Sequence, residues 1–246
     1  MDKSLYVAMT GAKEILQAQA VNNYNLANAS TTGFKADLSA FQSQAVSGSG
    51  YASRVYATDA STGWDTSEGS VNTTGRPLDV AVKGQGFIAV QGPNGQEAYT
   101  RNGDLHISSD GVLETSTGQA VLGDDGPITV PPSGSIKIAD DGTVSVVPLG
   151  STPGTVATVG RIKLVNPPAD SLARESGGLF QLAAGSTAPA DASVKITSGA
   201  LESSNVDLAS AMVNMIDLAR SFDLQVKAME SADNNAQSSS QLLQST

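Results

Sequence analysis

The stretch Leu208–Ala236, LASAMVNMIDLARSFDLQVKAMESADNNA, decides the fold of this chain. Five of its residues are spaced by seven: Leu208, Met215, Phe222, Met229 and Ala236. One flank of this row holds Ala211, Leu218 and Ala232, and the other holds Met212, Ala219 and Val226. A repeat of seven is typical of an α-helix that packs an apolar stripe against other helices. Ser204–Asp207 has capping-box spacing, so the helix is expected from about 206 to 243, roughly 55 Å long.

A second helix is predicted at the other end of the chain, over about residues 3–30, which contain no proline. Its apolar residues Leu5, Met9, Leu16 and Leu26 follow a heptad-like spacing, and Asn23 lies on the same seam. This helix is expected to end near Gly33, because glycine suits the left-handed residue beyond a helix end.

The middle of the chain has the pattern of β-strands. Apolar residues alternate at Leu78, Val80 and Val82, and similar short runs follow. Pairs that favour tight hairpin turns separate these runs at Asn94–Gly95, Asn102–Gly103, Asp110–Gly111, Asp125–Gly126 and Asp141–Gly142. A β-rich domain is therefore predicted over residues 76–197. The piece before it is rich in glycine and serine, so residues 36–75 are predicted to be a linker or irregular arm.

Together these patterns predict an α+β fold, in which the N- and C-terminal helices pair as a coiled-coil-like inner domain and a β-rich domain is inserted between them. The predicted domains are an N-terminal helix in residues 1–35, the arm in 36–75, the β-rich domain in 76–197 and a C-terminal helix in 198–246. Long apolar stripes need other helices to cover them. Either the helices form a hairpin on their own β-domain, or they are buried in an oligomer, which the length of the stripes favours.

Composition argues against several classes of function. The net charge is −10, which disfavours nucleic acid as a partner. There are no cysteines, which excludes disulfides and thiolate metal sites. The first residues lack the basic region and long apolar region of a cleaved signal peptide. No run approaches the ~20 apolar residues of a membrane span, so we expect no membrane insertion.

No motif in the sequence indicates catalysis or a cofactor. His106 is the sole histidine, and without cysteines only carboxylates could complete a zinc site around it. The acidic pairs Asp124–Asp125 and Asp140–Asp141 precede glycines without EF-hand spacing, so they are interpreted as turns. The sequence GQGF at Gly84–Phe87 lacks the third glycine and the following helix of a nucleotide-binding loop. No metal, cofactor or catalytic residue is predicted.

The first helix closes with an asparagine-rich stretch, Asn22–Lys35, NNYNLANASTTGFK. Asparagine is a poor helix former because its amide competes for backbone hydrogen bonds. On an apolar seam, a polar residue fixes the register and number of the helices at a cost in stability. A frayed helix end would also tolerate asparagines. The spacing alone leaves both interpretations open.

This stretch resembles the N-terminal signature of the bacterial flagellar rod, hook and hook-associated family. The matching residues are Asn25, Leu26, Ala27, Asn28, Thr31, Gly33, Phe34 and Lys35. Three further stretches are similar to the same family. Asp79–Val90 and Tyr99–Gly123 resemble its β-domain strands, and Ser198–Asp233 resembles its C-terminal helix. The resemblance therefore covers both ends of the chain and much of its middle.

The resemblance implies a structural subunit of the flagellar rod, without catalytic activity and without a cofactor. In this family the terminal helices line an inner tube and the β-domain lies outside. The implied partners are copies of itself, the distal rod protein FlgG, FlgB- and FlgC-type neighbours, and the flagellar type III export apparatus. The implied location is the periplasmic rod of the basal body, reached without a cleaved signal peptide.

The assembly interface is predicted on the two helices and the motif. In the N-terminal segment it comprises Leu5, Met9, Leu16, Asn23, Asn25, Leu26, Asn28, Gly33 and Phe34, and in the C-terminal helix Leu208, Met215, Leu218, Phe222, Val226 and Met229. The proximal rod is the predicted place of the subunit, and the distal rod is the alternative. Two other classes stay open: a secreted binding module with a coiled-coil stalk, and a secreted enzyme with a β-rich core.

Overall fold

The computed structural model describes residues 4–45, 55–149, 156–182 and 186–244, which divide into two compact units. The helical unit lies within Met1–Ala29, Ala36–Asp65 and Val206–Thr246. The β unit lies within Ser30–Lys35 and Thr66–Asn205. The fold is α+β, with one helix near each end of the chain and a β-rich middle, as the sequence predicts.

The helical unit consists of two helices and a hairpin: α1 (Ser4–Ala27), β1 (Asp37–Ala45), β2 (Val55–Trp64) and α2 (Leu208–Gln244). Two contacts fix the direction of the helices. The Asn22 side-chain amide donates to the Ala211 carbonyl over 2.9 Å. Gly11 lies against the Gln225 side chain, where an added Cβ would come within 3.2 Å. Later positions on α1 thus meet earlier positions on α2, so the helices are antiparallel.

Small residues form the face of α1 that meets α2. Gly11 and Asn22 belong to a row spaced by three and four residues that also contains the buried Ala8, Ile15 and Ala18. The facing row of α2 follows the same spacing: Ala211, Met215, Leu218, Phe222, Gln225, Met229 and Ala232. The stripe expected on α1, Leu5–Met9–Leu16, is not this seam. Side-chain size sets the distance between packed helices. The small side chains of the alanine-rich row therefore leave room for the larger side chains of α2.

The segment expected to be an irregular arm contains a hairpin instead. Strands β1 and β2 pair antiparallel with Phe41 opposite Asp59, and β2 contacts α1. A regular apolar alternation is missing from both strands, since β1 reads DLSAFQSQA and β2 reads VYATDASTGW. The contact with α1 therefore supplies stabilisation that the local pattern did not indicate. The glycine- and serine-rich residues 46–54 lie outside the described residues.

The α2 helix begins one residue after Asp207, which is its N-terminal cap. The Asp207 carboxylate accepts hydrogen bonds from the Ala209 backbone N–H over 3.1 Å and from the Ser210 hydroxyl over 2.5 Å. These bonds, the Ser210 hydroxyl first, lower the pKa of Asp207. The cap thus lies at the last residue of the predicted Ser204–Asp207 box.

No helix in the described part of the chain is both long and apolar enough to cross a membrane.

The β unit is built of short antiparallel strands. They are β3 (Val71–Thr73), β4 (Val80–Lys83), β5 (Phe87–Gln91), β6 (Glu97–Thr100), β7 (Leu105–Ile107), β8 (Leu113–Thr115), β9 (Leu122–Gly123), β10 (Gly126–Pro127), β11 (Ser133–Ile138), β12 (Thr143–Pro148), β13 (Ala157–Arg161), β14 (Leu164–Val165), β15 (Leu172–Arg174), β16 (Phe180–Leu182), β17 (Lys195–Ser198) and β18 (Ala200–Glu202). Two short 3₁₀ helices, Ala169–Ser171 and Ser176–Gly178, flank β15.

The largest sheet of the β unit has the strand order β14-β5-β6-β16-β15, and a second sheet has the order β11-β12-β13. Strands β4 and β17 pair, as do β3 and β18, so the last strands of the unit return to its first. One apolar cluster runs through the unit; its fully buried members include Val80, Ile88, Leu105 and Ile196. This cluster makes the β unit a compact body of its own.

The predicted glycine turns are confirmed at four of the five pairs. Gly95, Gly111, Gly126 and Gly142 have positive φ and lie between or at the ends of paired strands. The fifth pair, Asn102–Gly103, has another role, because a Cβ on Gly103 would lie 1.7 Å from the Val80 carbonyl oxygen. Glycine at position 103 therefore permits a close approach of two backbone segments. The Asn-Gly pair in the sequence does not show whether the glycine serves a turn or such a close approach.

Candidate assembly surface

The large apolar residues predicted on α1 are exposed within the subunit. The exposed fractions are 38% for Leu5, 52% for Met9 and 50% for Leu16, and Asn23 on the same row is also exposed. The row lies beside the buried alanine-rich row, on the part of α1 that α2 does not cover. Contiguous exposed apolar residues on a folded unit indicate an interaction surface.

The residues predicted on α2 divide into two groups. Met215, Leu218, Phe222, Val226 and Met229 are half-buried, whereas Leu208 is exposed. Leu208 continues into an exposed apolar row with Met212 and Ile216, each four residues apart. Ile216 was missed by the heptad pattern because it falls outside the row of seven. A four-residue spacing from Leu208 could have found it.

Three asparagines of the motif, Asn22, Asn25 and Asn28, each form a hydrogen bond with a different backbone partner. Asn22 binds α2 through the Ala211 carbonyl. Asn25 forms two bonds with the backbone of Asp37: its amide donates to the Asp37 carbonyl over 2.9 Å, and its oxygen accepts from the Asp37 N–H over 2.8 Å. The Asn28 amide donates to the Tyr24 carbonyl over 2.9 Å, in the last turn of α1. Asn22 and Asn25 therefore join three elements of the helical unit.

Replacing Asn25 with alanine should loosen the start of β1. The change removes two side-chain-to-backbone bonds, each worth about 1 kcal/mol, so the free energy of unfolding of the helical unit should fall by about 1–3 kcal/mol. Amide exchange at Asp37, measured by NMR, should accelerate most. The matched control is Asn23→Ala on the exposed side of the same helix, which should leave Asp37 unchanged. Equal effects of the two changes would contradict the role given to Asn25.

The second half of the motif is buried in the β unit. Gly33 has φ +68°, and a Cβ there would lie 2.3 Å from the Arg101 carbonyl. Phe34 is buried, and the Arg174 guanidinium lies 4.5 Å from its ring centroid. The expected helix end at Gly33 is corrected, since α1 ends at Ala27 and Gly33 serves a close approach within the β unit. An intermolecular role for Gly33 and Phe34 stays a prediction, and their burial speaks against it.

Lys35, the last residue of the motif, belongs to a buried ion cluster that the sequence patterns did not predict. The Lys35 ammonium lies 2.8 Å from Glu202 Oε1, and Arg101 Nε lies 2.6 Å from Glu202 Oε2. The three side chains are 1–3% exposed. Burial lowers the pKa of Lys35, with the Arg101 charge acting in the same direction and the bond to Glu202 opposing it. The sequence has few charged residues, so Lys35, Arg101 and Glu202 could have been noted as candidates for an ion pair. Their pairing could not be predicted, because the three residues are far apart in the sequence.

The described residues contain no group of three or more histidine, cysteine, aspartate or glutamate side chains placed to hold a metal ion. His106 is an exposed residue of β7. The distinguishing features of the described part of the chain are the exposed apolar rows of the two helices and the motif that joins the elements.

Comparison with known proteins gives a consistent family. The family model for the flagellar hook protein FlgE/F/G D1 domain matches residues 81–146. The model for the flagellar basal body rod FlgEFG protein C-terminal matches residues 197–242. The flagellar basal-body rod protein FlgF of Salmonella typhimurium is 44% identical over an alignment of 249 positions that covers 99% of each chain. FlgF of Escherichia coli is 43% identical over the same share of both chains.

A sibling protein is also similar, though less so. The flagellar basal-body rod protein FlgG of Buchnera aphidicola subsp. Schizaphis graminum is 32% identical over 269 residues, covering 98% of this chain and 100% of that one. FlgF of the same Buchnera organism is also 32% identical, with 98% of both chains covered, so the FlgF proteins at 43–44% identity carry the assignment to FlgF.

Proposed function

The chain belongs to the flagellar basal-body rod protein family, in its FlgF group, and is a structural subunit of the rod; from this premise we propose that it polymerises in the proximal rod through its two terminal helices. A FlgG-like place in the distal rod is the alternative; the two FlgF relatives at 43–44% identity favour the proximal rod. No catalytic role and no cofactor form part of the proposal.

The exposed apolar row of α1 carries this proposal. Leu5, Met9 and Leu16 remain about half exposed although α1 already packs on α2 and contacts the hairpin. Burying a fully exposed side chain of this kind contributes about 1.5–3 kcal/mol, and roughly half of that gain is still open at each of these residues. The exposed row Leu208–Met212–Ile216 of α2 offers the same gain. We propose coiled-coil-like packing of these rows against the helices of neighbouring subunits, with copies of the chain and FlgG-, FlgB- and FlgC-type proteins as the neighbours.

The groove beside α1 supports the same view. An open groove of about 410 Å³ is lined by α1, α2 and the first residues of β1, including Phe41, Asn22 and Leu218. Its lining is partly apolar, and Phe41 is one of the exposed large residues of the unit. On α1 the groove is lined by Ala18, Asn22 and Asn25, which lie on the other side of the helix from Leu5, Met9 and Leu16. A helix seated in the groove would therefore belong to a second neighbouring subunit.

The helices are proposed to gain their full stability on assembly. An isolated helix in water is marginal, and most helical stability in proteins comes from packing an apolar face. In the single subunit, each helix leaves one of its apolar rows uncovered. We further propose that the subunit reaches the periplasmic rod through the flagellar type III export apparatus.

Deletion and replacement of the gene in its own bacterium tests the proposed place in the rod. Loss of the chain should abolish swimming, and a plasmid copy should restore it. Purified basal bodies, probed with an antibody against the β unit, should contain the chain in the rod fraction. A matched strain that lacks FlgG should not be restored by the same plasmid. Normal swimming after deletion, or rescue of the strain without FlgG, would overturn the proximal assignment.

A further inference from the structure

In the β unit, the segment that follows the first helix runs beside the segment that precedes the second. The Gly33 N–H donates to the Glu202 carbonyl over 2.8 Å, and the Asn205 N–H donates to the Phe34 carbonyl over 3.3 Å. Arg174 adds a bond from its guanidinium to the Lys35 carbonyl over 2.8 Å. Residues 33–35 and 202–205 are thus neighbours although they lie at opposite ends of the sequence of this unit.

The buried ion cluster ties a third segment to these two. Lys35 Nζ donates to Glu202 Oε1 over 2.8 Å and to the Ser67 carbonyl over 2.5 Å. The Gly69 N–H donates to the same Glu202 oxygen over 3.0 Å. The other Glu202 oxygen accepts from Arg101 Nε over 2.6 Å. One carboxylate therefore holds residues 33–35, residues 67–69 and its own segment 202–205 in place.

The charges make Glu202 the member on which the others depend. Its carboxylate bonds both cations, and each of the three side chains is at least 97% buried. Glu68 adds only a smaller charge interaction with Lys35. Without Glu202, the Lys35 and Arg101 charges would face each other with backbone carbonyls as their hydrogen-bond acceptors. Loss of one partner of a buried ion pair is strongly destabilising, because the other charge stays buried and unpaired.

Arg101 also joins the cluster to the apolar core. Its guanidinium donates to the carbonyls of Val82, Gly84 and Gly86, at the end of β4 and in the turn to β5. These three bonds do not involve Glu202. Arg101 can therefore stay in position when Glu202 is changed, whereas residues 33–35 and 67–69 would lose the group that holds them.

We propose that the Lys35–Glu202–Arg101 cluster is a conformational clasp, which couples the docking of residues 33–35, 67–69 and 202–205 in one step that is separate from folding of the β core. The clasp makes the ordering of the motif residues Gly33–Lys35 depend on a carboxylate near the end of the β unit. The leading segment, residues 33–35, is therefore fixed in the same step as the trailing segment, residues 202–205. This inference does not rest on the proposed place of the subunit in the rod.

Hydrogen exchange on the full chain, resolved by NMR, tests the clasp. The reporters are the amides of Gly33, Gly69 and Asn205, one from each of the three segments; the first two donate to Glu202 and the third donates to the Phe34 carbonyl. In Glu202→Gln, all three should exchange about a hundredfold faster, as expected for an unpaired buried charge. The core amides of Ala89 and Val121, which donate to Lys163 and Leu113, should keep their rates.

Two further variants keep the test decisive. Glu97→Gln removes the carboxylate charge of the Lys163–Glu97 pair elsewhere in the β unit and should leave the three reporters unchanged. Lys35→Met keeps the Glu202–Arg101 pair, so exchange at the three reporter amides should accelerate together by only about tenfold. If Glu202→Gln does not fold, Lys35→Met provides the test instead. Reporters that accelerate separately in Lys35→Met, or only together with Ala89 and Val121, would overturn the proposal.

Discussion

Changing Leu16 to aspartate should abolish swimming and leave the subunit folded. Leu16 is half exposed and lies outside the alanine-rich row of α1 that meets α2. A carboxylate there remains in water in the free subunit, so the free energy of unfolding should fall by only about 1 kcal/mol, from lost helix propensity and the buried half of the leucine. In the polymer the same carboxylate would be buried among apolar side chains without a partner, which is a large penalty.

The measurement combines swimming in soft agar with thermal unfolding of the purified variant. Gln17→Asp is the matched control, because it puts the same charge on the same helical turn, at an exposed position outside the apolar row. It should swim. Ala18→Asp, on the buried row, should instead destabilise the helical unit itself. Swimming by Leu16→Asp, or unfolding of the subunit by that change, would remove the exposed row from the proposed interface.

The heptad pattern predicted one helix better than the other. On α2, Met215, Phe222 and Met229 are half-buried, and the predicted flank Ala211, Leu218 and Ala232 completes the row that faces α1. On α1, two apolar rows run side by side, one with large side chains and one with alanines. A hydrophobicity pattern gives more weight to the large residues, but the closeness of two packed helices depends on the small ones.

The motif shows a different limit of sequence reasoning. The pattern around Asn22–Lys35 indicated a role for asparagine, but it left a helix seam and a frayed end open. The partners that settle the roles of Asn22 and Lys35 are Ala211 and Glu202, which lie far away in the sequence. Local propensity and spacing contain no information on such pairings. The hairpin was missed for the same reason, since β2 contacts α1 rather than showing a strand pattern of its own.

Arg101→Met should cause the largest loss of stability in the β unit. The change leaves Glu202 with one cation and strips the carbonyls of Val82, Gly84 and Gly86 of their donor. Breaking a buried ion pair from one side costs about 3–5 kcal/mol. Unlike loss of Glu202, this change also acts on the turn between β4 and β5, so the exchange of core amides such as Val121 should accelerate.

Arg101→Lys separates the charge from the geometry of the guanidinium. Lysine keeps the positive charge, but its single ammonium group cannot reproduce a planar fork that serves a carboxylate and three carbonyls at once. We expect an intermediate loss of about 1–3 kcal/mol, as for buried groups left without a partner. Arg161→Lys is the control, because Arg161 donates through Nε to the Asp141 carbonyl and is half-buried. If Arg101→Lys matched the wild type at Val121, charge alone would hold the cluster, and the link from the clasp to the core through the three carbonyls would be wrong.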